Sequence, residues 1–187
     1  MKPIIEPYQG EFSALLVYPR IAASAFIASG AAVIGDVIIG EDSSIWYGCT
    51  VRGDVNVIRI GDRTNIQDGT VIHVTRHTGP TTIGSDVTIG HAALLHACML
   101  EDRCFIGMRA TIMDDVVVES GAMVAAGALV TPNKRVPKGE LWAGSPARKM
   151  RDLTEAEVAH ITESADNYAR LTSEYKALEK KSRQADF

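Results

Sequence analysis

The sequence predicts an all-β fold, a left-handed parallel β-helix of hexapeptide repeats with a C-terminal α-helix, on three observations. First, aliphatic residues recur every six positions, at Ile21, Ile27, Val33, Ile39, Ile45 and Val51, at Ile60, Ile66 and Ile72, and at Ile83, Ile89 and Leu95. After a slip of one they resume at Leu100, Ile106, Ile112, Val118, Val124, Val130 and Val136. That period suits neither an α-helix nor an alternating strand; it marks a solenoid whose unit is one short strand plus a corner. Second, the position two before each aliphatic must also point inward beside a tight bend. It is small or β-branched at Ala25, Ala31, Val37, Ser43, Cys49, Thr64, Thr70, Thr81, Val87, Ala93, Cys98, Cys104, Ala110, Val116, Ala122 and Ala128. The exceptions, Ile58 and Lys134, lie beside an insertion and at the end of the array. Third, Thr154 with Glu157 reads as a capping box and Leu153 with Val158 as a hydrophobic staple, which start a helix. The left-handed sense belongs to hexapeptide prisms as a class and is not given by the period.

Residues 1–20 carry Pro3, Pro7, Gly10 and Pro19 and read as an irregular lead-in with a short strand at 14–18. Residues 21–140 form the β-helix. Three six-residue units make a coil of 18 residues, and six coils run from Ile21 to Val130. At the ordinary strand spacing of about 4.8 Å the prism is roughly 30 Å long. The array is interrupted by three extra residues between Val51 and Ile60 and by five between Ile72 and Ile83, around Thr75-Arg76-His77-Thr78-Gly79-Pro80. Loops projecting from a regular scaffold are where function tends to sit. Pro132, Pro137 and Gly139 end the repeat. Residues 141–187 then supply a turn at Gly144-Ser145-Pro146-Ala147 and a helix packed on the same domain. The helix carries an apolar stripe, Val158, Ile161, Ala165, Tyr168, Leu171, Tyr175 and Leu178, that must cover a prism face or a subunit contact. Residues 180–187 are expected to fray.

A chain of 187 residues with 46% hydrophobic content supports one cored domain plus an appendage. A net charge of −4 without a Lys/Arg block argues against nucleic acid and acidic membranes as partners. No apolar run reaches membrane-spanning length, the N-terminus does not read as a signal peptide, and three cysteines fit a reducing compartment, so the expected location is cytoplasmic. Cys49, Cys98 and Cys104 all fill the small inward slot and read as buried core thiols.

The period also places the histidines. With both insertions looped out, Val51, Ile72 and Leu95 share one face on successive coils. Arg52, His73 and His96 then form one outward column, and Asp68 and His91 form another on a different face. Imidazoles one rung apart can both reach a single Zn²⁺. His91 lies across a corner, so it should reach the same ion only from a neighbouring subunit, in a threefold assembly with three equivalent interfaces. Three neutral nitrogen ligands leave a fourth position for water, the pattern of a catalytic zinc site. Arg52 and Asp54 read foremost as an ion pair locking subunits together. Gln67 and Asp68 read as groups that hydrogen-bond water at the ion or a ligand histidine.

The hexapeptide register, Arg52-Gly53-Asp54, Asn65-Ile66-Gln67-Asp68-Gly69, His73, and Ile89-Gly90-His91 followed by His96 resemble the gamma-class carbonic anhydrases and their close bacterial relatives over nearly the whole chain. The resemblance implies a homotrimer with Zn²⁺, or Fe²⁺ or Co²⁺, at each interface, held by His73 and His96 of one chain and His91 of the next. It implies reversible hydration of CO₂ to bicarbonate, with Gln67 orienting the attack and Arg52, Asp54, Asp68, Asn65 and Tyr168 as further candidate catalytic residues. The best-characterised members carry a glutamate directly after the Arg-x-Asp aspartate and another in an acidic projecting loop, for proton transfer. Here Val55 follows Asp54 and the loop has no acid, so His77 is the candidate proton shuttle.

Two other readings compete. Hexapeptide prisms also serve CoA-dependent acyltransferases, which use one histidine as general base and have a similar Gly144-Ser145-Pro146-Ala147 turn; three convergent histidines speak against this. A catalytically weak trimeric scaffold that binds an unidentified protein partner is the other.

Overall fold

A single hexapeptide has too little apolar surface to fold alone, so order comes only when the inward residues of one turn rest on those of the next. The structure, a computed structural model, describes residues 2–10 and 15–185. Most of its strands are two or three residues long and pair in parallel with the turn above and the turn below. They stack as three faces of one prism. Ile21, Ile39, Ile60, Ile83, Leu100, Val118 and Val136 line the first. Ile27, Ile45, Ile66, Ile89, Ile106, Val124 and Trp142 line the second. On the third, Val33, Val51, Ile72, Leu95, Ile112 and Val130 follow one another. The predicted register is the observed one, and the inward aliphatics from Ile39 to Val136 form one continuous core. Cys49, Cys98 and Cys104 are buried in it, and burial pushes the Cys49 thiol up to about 11.

The array runs further than the six coils expected. Val136 and Trp142 add another rung to the first and second faces, and the hairpin of Glu140–Gly144 with Ala147–Asp152, turning at the expected Gly144-Ser145-Pro146-Ala147, closes that end. At the other end the lead-in is more regular than expected, because Ile4–Glu6 pairs in parallel with the start of Ala32–Ile39. Of the strand expected at 14–18, only Val17 is paired, in an isolated bridge with Tyr8; residue 14 lies outside the described residues.

The two insertions differ in kind. The first does not project as a separate loop: Gly53 pairs with Gly35 and Ile58 with Val37, so residues 54–57 swell as a bulge within Thr50–Ile60. Gly35, at φ 79, is required there, since a Cβ would lie 2.3 Å from the Gly53 carbonyl oxygen. The second is a true loop, closed by the Thr75–Gly79 bridge.

The helix Glu155–Ala185 begins as expected: the Glu157 carboxylate accepts from Thr154 N–H at 2.9 Å, and Glu157 N–H donates back to Thr154 Oγ1 at 3.3 Å. It covers the second face of its own prism. Tyr168, Leu171 and Tyr175 pack on Phe26, Ala28 and Trp46, and Ile161 packs on Met123 and Leu141. Leu153 joins that second cluster, while Val158, its expected staple partner, is exposed, as is Leu178. The helix runs to Ala185, past residue 180 where the sequence expects the tail to begin; residues 186–187 lie outside the described ones. Among the described residues, no helix is long and apolar enough to cross a membrane.

Candidate metal centre

On the third face, His73 at the end of Val71–His73 pairs directly with His96 at the end of Leu94–His96. Parallel pairing one rung apart places the ring centroids 5.3 Å from each other. His73 Nδ1 and His96 Nε2 approach to 3.3 Å. Each ring's outer nitrogen is occupied: His73 Nε2 donates to Asp54 Oδ1 at 2.9 Å, and His96 Nδ1 donates to Asp114 Oδ1 at 2.8 Å. Burial alone would raise the Asp54 carboxyl, but hydrogen bonds from His73 and Arg52 outweigh it and hold the group below its ordinary range. Asp114 behaves alike, burial being outweighed by hydrogen bonds from Thr75 and His96. Ionised carboxylates can only accept, so each outer nitrogen carries a proton, and wherever both rings are neutral the inner nitrogens carry lone pairs.

Two lone pairs facing each other repel unless a cation lies between them. Nitrogens bound at 2.0–2.1 Å to a tetrahedral ion are separated by roughly 3.3–3.4 Å. The 3.3 Å found here fits one edge of such a tetrahedron. Carboxylates that fix ligand tautomers in this way are the usual outer support of a histidine-bound metal.

His91 is prepared similarly but elsewhere. On the second-face column its Nδ1 donates to Asp68 Oδ2 at 2.8 Å, which leaves Nε2 for a ligand, and its side chain is 45% exposed. Among the described residues, no three His, Cys, Asp or Glu side chains converge on one point within the chain. Within the chain, Arg52 pairs with Asp54.

Gln67 is buried, and its amide starts a chain of hydrogen bonds that leads to the helix. Its Nε2 donates to Asn65 Oδ1 at 3.1 Å, Asn65 Nδ2 donates to Thr88 Oγ1 at 2.9 Å, and Thr88 shares a 2.9 Å hydrogen bond with Ser164 of the helix. Tyr168 belongs to the aromatic cluster on Trp46, at 5.6 Å between centroids; burial raises its hydroxyl pKa and the charge of Asp68 adds to this. His77, at φ 66 in the loop, lines a cavity of about 320 Å³ with Tyr8, Asp36, Asp54 and Asn56. The cavity thus opens beside Asp54.

Sequence reasoning missed Asp114 and Thr75. Asp114 lies 18 residues after His96, but the slip of one between Leu95 and Leu100 makes that coil 17 residues, so counting puts Met113 in the His96 column and Asp114 one place beyond it, at the corner.

Comparison with known proteins follows the same lines. A family model described as bacterial transferase hexapeptide (six repeats) matches residues 18–53, and one described as hexapeptide repeat of succinyl-transferase matches residues 99–132. Gamma carbonic anhydrase 1, mitochondrial, of Arabidopsis thaliana is 54% identical over 164 residues, covering 85% of this chain and 60% of its own length, so the chain spans little more than half of that relative. A probable carbonic anhydrase of Methanocaldococcus jannaschii is 44% identical over 81% of this chain and 95% of its own length. A solved structure from Bacillus cereus, described as a putative acetyltransferase, superposes with a TM-score of 0.89 at 36% identity over 95% of this chain and 99% of its own. With the archaeal relative matched almost from end to end and the plant relative matched more highly still, the chain belongs to the gamma carbonic anhydrase family.

Proposed function

We propose that the chain catalyses reversible hydration of CO₂ to bicarbonate at metal sites between the subunits of a homotrimer. Each site would take His73 and His96 from one copy and His91 from a neighbour. The observation that carries the reading is the 3.3 Å pair of inner nitrogens, each on a ring whose outer nitrogen is tied to a carboxylate. When bound, Zn²⁺, or Fe²⁺ or Co²⁺ in its place, supplies the Lewis acidity that makes water nucleophilic at neutral pH.

The chain's own residues supply the rest. Asp54, Asp114 and Asp68 hold His73, His96 and His91 in the tautomers that present a lone pair. Gln67 spends its amide N–H on Asn65, so Oε1 is the atom suited to accept from the attacking water. The Asn65–Thr88–Ser164 chain fixes that amide against the helix, which gives Asn65 a positioning role. Tyr168 packs the helix beside Asp68. Arg52 steadies Asp54. The released proton leaves through the cavity shared by Asp54 and His77, whose imidazole is the candidate shuttle.

Metal analysis of protein purified without chelators, followed by stopped-flow CO₂ hydration on zinc- and iron-loaded samples, tests this. About one metal per chain is expected, on the open three-histidine pattern, with hydration above the buffer rate. Metal-free wild-type trimers overturn the site. Metal-loaded protein no faster than buffer overturns the enzyme and leaves a scaffold. Tight CoA binding without metal would instead favour an acyltransferase, the activity by which the Bacillus cereus structure is described.

A further inference from the structure

We propose that Thr75 and Asp114 act together as positioning residues for the His73–His96 pair, through two arms of hydrogen bonds, one from each insertion of the prism. The inference rests on the metal reading given above. Both arms can be followed bond by bond. His73 Nε2 donates to Asp54 Oδ1, which also accepts from Val55 N–H at 2.9 Å. Next along the bulge, Asn56 Nδ2 donates to the Thr75 carbonyl at 3.0 Å. Thr75 Oγ1 donates to Asp114 Oδ2, and Asp114 Oδ1 accepts from His96 Nδ1 at 2.8 Å. The two arms end on the rings whose inner nitrogens face each other at 3.3 Å.

Each link constrains a different freedom. A carboxylate held by one oxygen can still swivel about its bond to Cβ, carrying the imidazole with it. Thr75 takes the second oxygen of Asp114 and removes that swivel, although Asp114 is about a third exposed (32%) and would otherwise turn to water. Thr75 is itself fixed by two backbone hydrogen bonds with Gly79, at 2.8 and 3.3 Å. Gly79 lies flush against the next strand connection, where a Cβ would come within 2.6 Å of the Ala97 Cβ. The short loop therefore sets the angle of one histidine, the bulge sets that of the other, and Asn56 binds the two together. Neither insertion needs to touch an ion to decide how well the inner nitrogens fit one.

Thr75→Val keeps the shape and loses the donor, Thr75→Ser keeps the donor, and Asp114→Asn removes the charge. For each, Co²⁺ affinity is measured by chelator competition, the Co²⁺ visible spectrum is recorded, and the melting midpoint of the metal-free protein is determined. Thr75→Val and Asp114→Asn are expected to lower Co²⁺ affinity by about 10- to 100-fold and to shift the visible bands. Their metal-free midpoints should fall only slightly, because both changes remove hydrogen bonds at a partly exposed side chain, where water can replace them, and Thr75→Ser should restore affinity and spectrum. Wild-type affinity and an unchanged spectrum in Thr75→Val overturn the positioning role alone. A lowered metal-free midpoint with an unchanged spectrum also overturns it, as an ordinary structural contact. Wild-type protein that takes up no Co²⁺ overturns the metal reading and this role with it.

Discussion

Asp54 sits between a guanidinium and an imidazole with only 12% of its side chain exposed, and it serves both. Removing it leaves two donors without their shared acceptor, which costs about 1–3 kcal/mol when such groups are buried and less as they are exposed. Asp54→Ala should therefore lower the melting midpoint of the metal-free protein more than Arg52→Ala, because Arg52 is nearly half exposed and can turn to water. Equal effects on thermal unfolding would deny Asp54 its hold on His73. At this scale the sequence shows the ligand columns plainly, since six-residue counting assigns His73, His96, Asp68 and His91 to their faces. It does not show which oxygen each imidazole chooses. The contact of Asp54 with His73 is not legible in the sequence, because the outward direction of a bulged residue depends on backbone geometry that counting does not reach.

The elements divide by how local their causes are. The helix start is legible because a capping box needs only Thr154 and Glu157. The face that the helix covers is not, since that depends on Trp46 and Phe26 more than a hundred residues upstream. The capping contact has a measurable sign. Hydrogen bonds from Arg151, then from Thr154, bring the Glu157 carboxyl from 4.5 down to about 2. A carboxyl lowered by folding stabilises the fold fully above its unfolded value, and that contribution is lost as pH falls through the folded one. Wild-type melting midpoints should therefore drop between pH 4.5 and about 2 more steeply than those of Glu157→Gln. Parallel profiles would show that the helix start contributes nothing to acid stability. The two insertions look equivalent in the sequence, but three extra residues fit within a strand as a bulge, whereas five fold back into a closed loop.

Across the whole molecule, the test of shared sites is complementation. His73→Ala and His91→Ala chains, each unable to complete a site, should regain metal when refolded together. Random mixing in a cyclic trimer leaves about a quarter of the interfaces with an intact ligand set. Metal content that stays at zero after verified mixing would place all three ligands in one subunit. The prism and its register can be anticipated because every turn repeats the same instruction; a threefold assembly is read only from the histidine columns, because interfaces have no period. That repetition bears on what the chain can tolerate. His73 and His96 are 23 residues apart yet adjacent in space, since five of those residues are looped out and the remaining 18 bring the chain once around. Position on the surface is thus an address counted modulo eighteen. Residues 76–78 of the loop after His73 can change in number without moving either ligand while Thr75 and Gly79 stay paired. A residue deleted inside a strand would instead turn the core outward, unlike one lost at a corner such as that between Leu95 and Leu100, where the array already loses one.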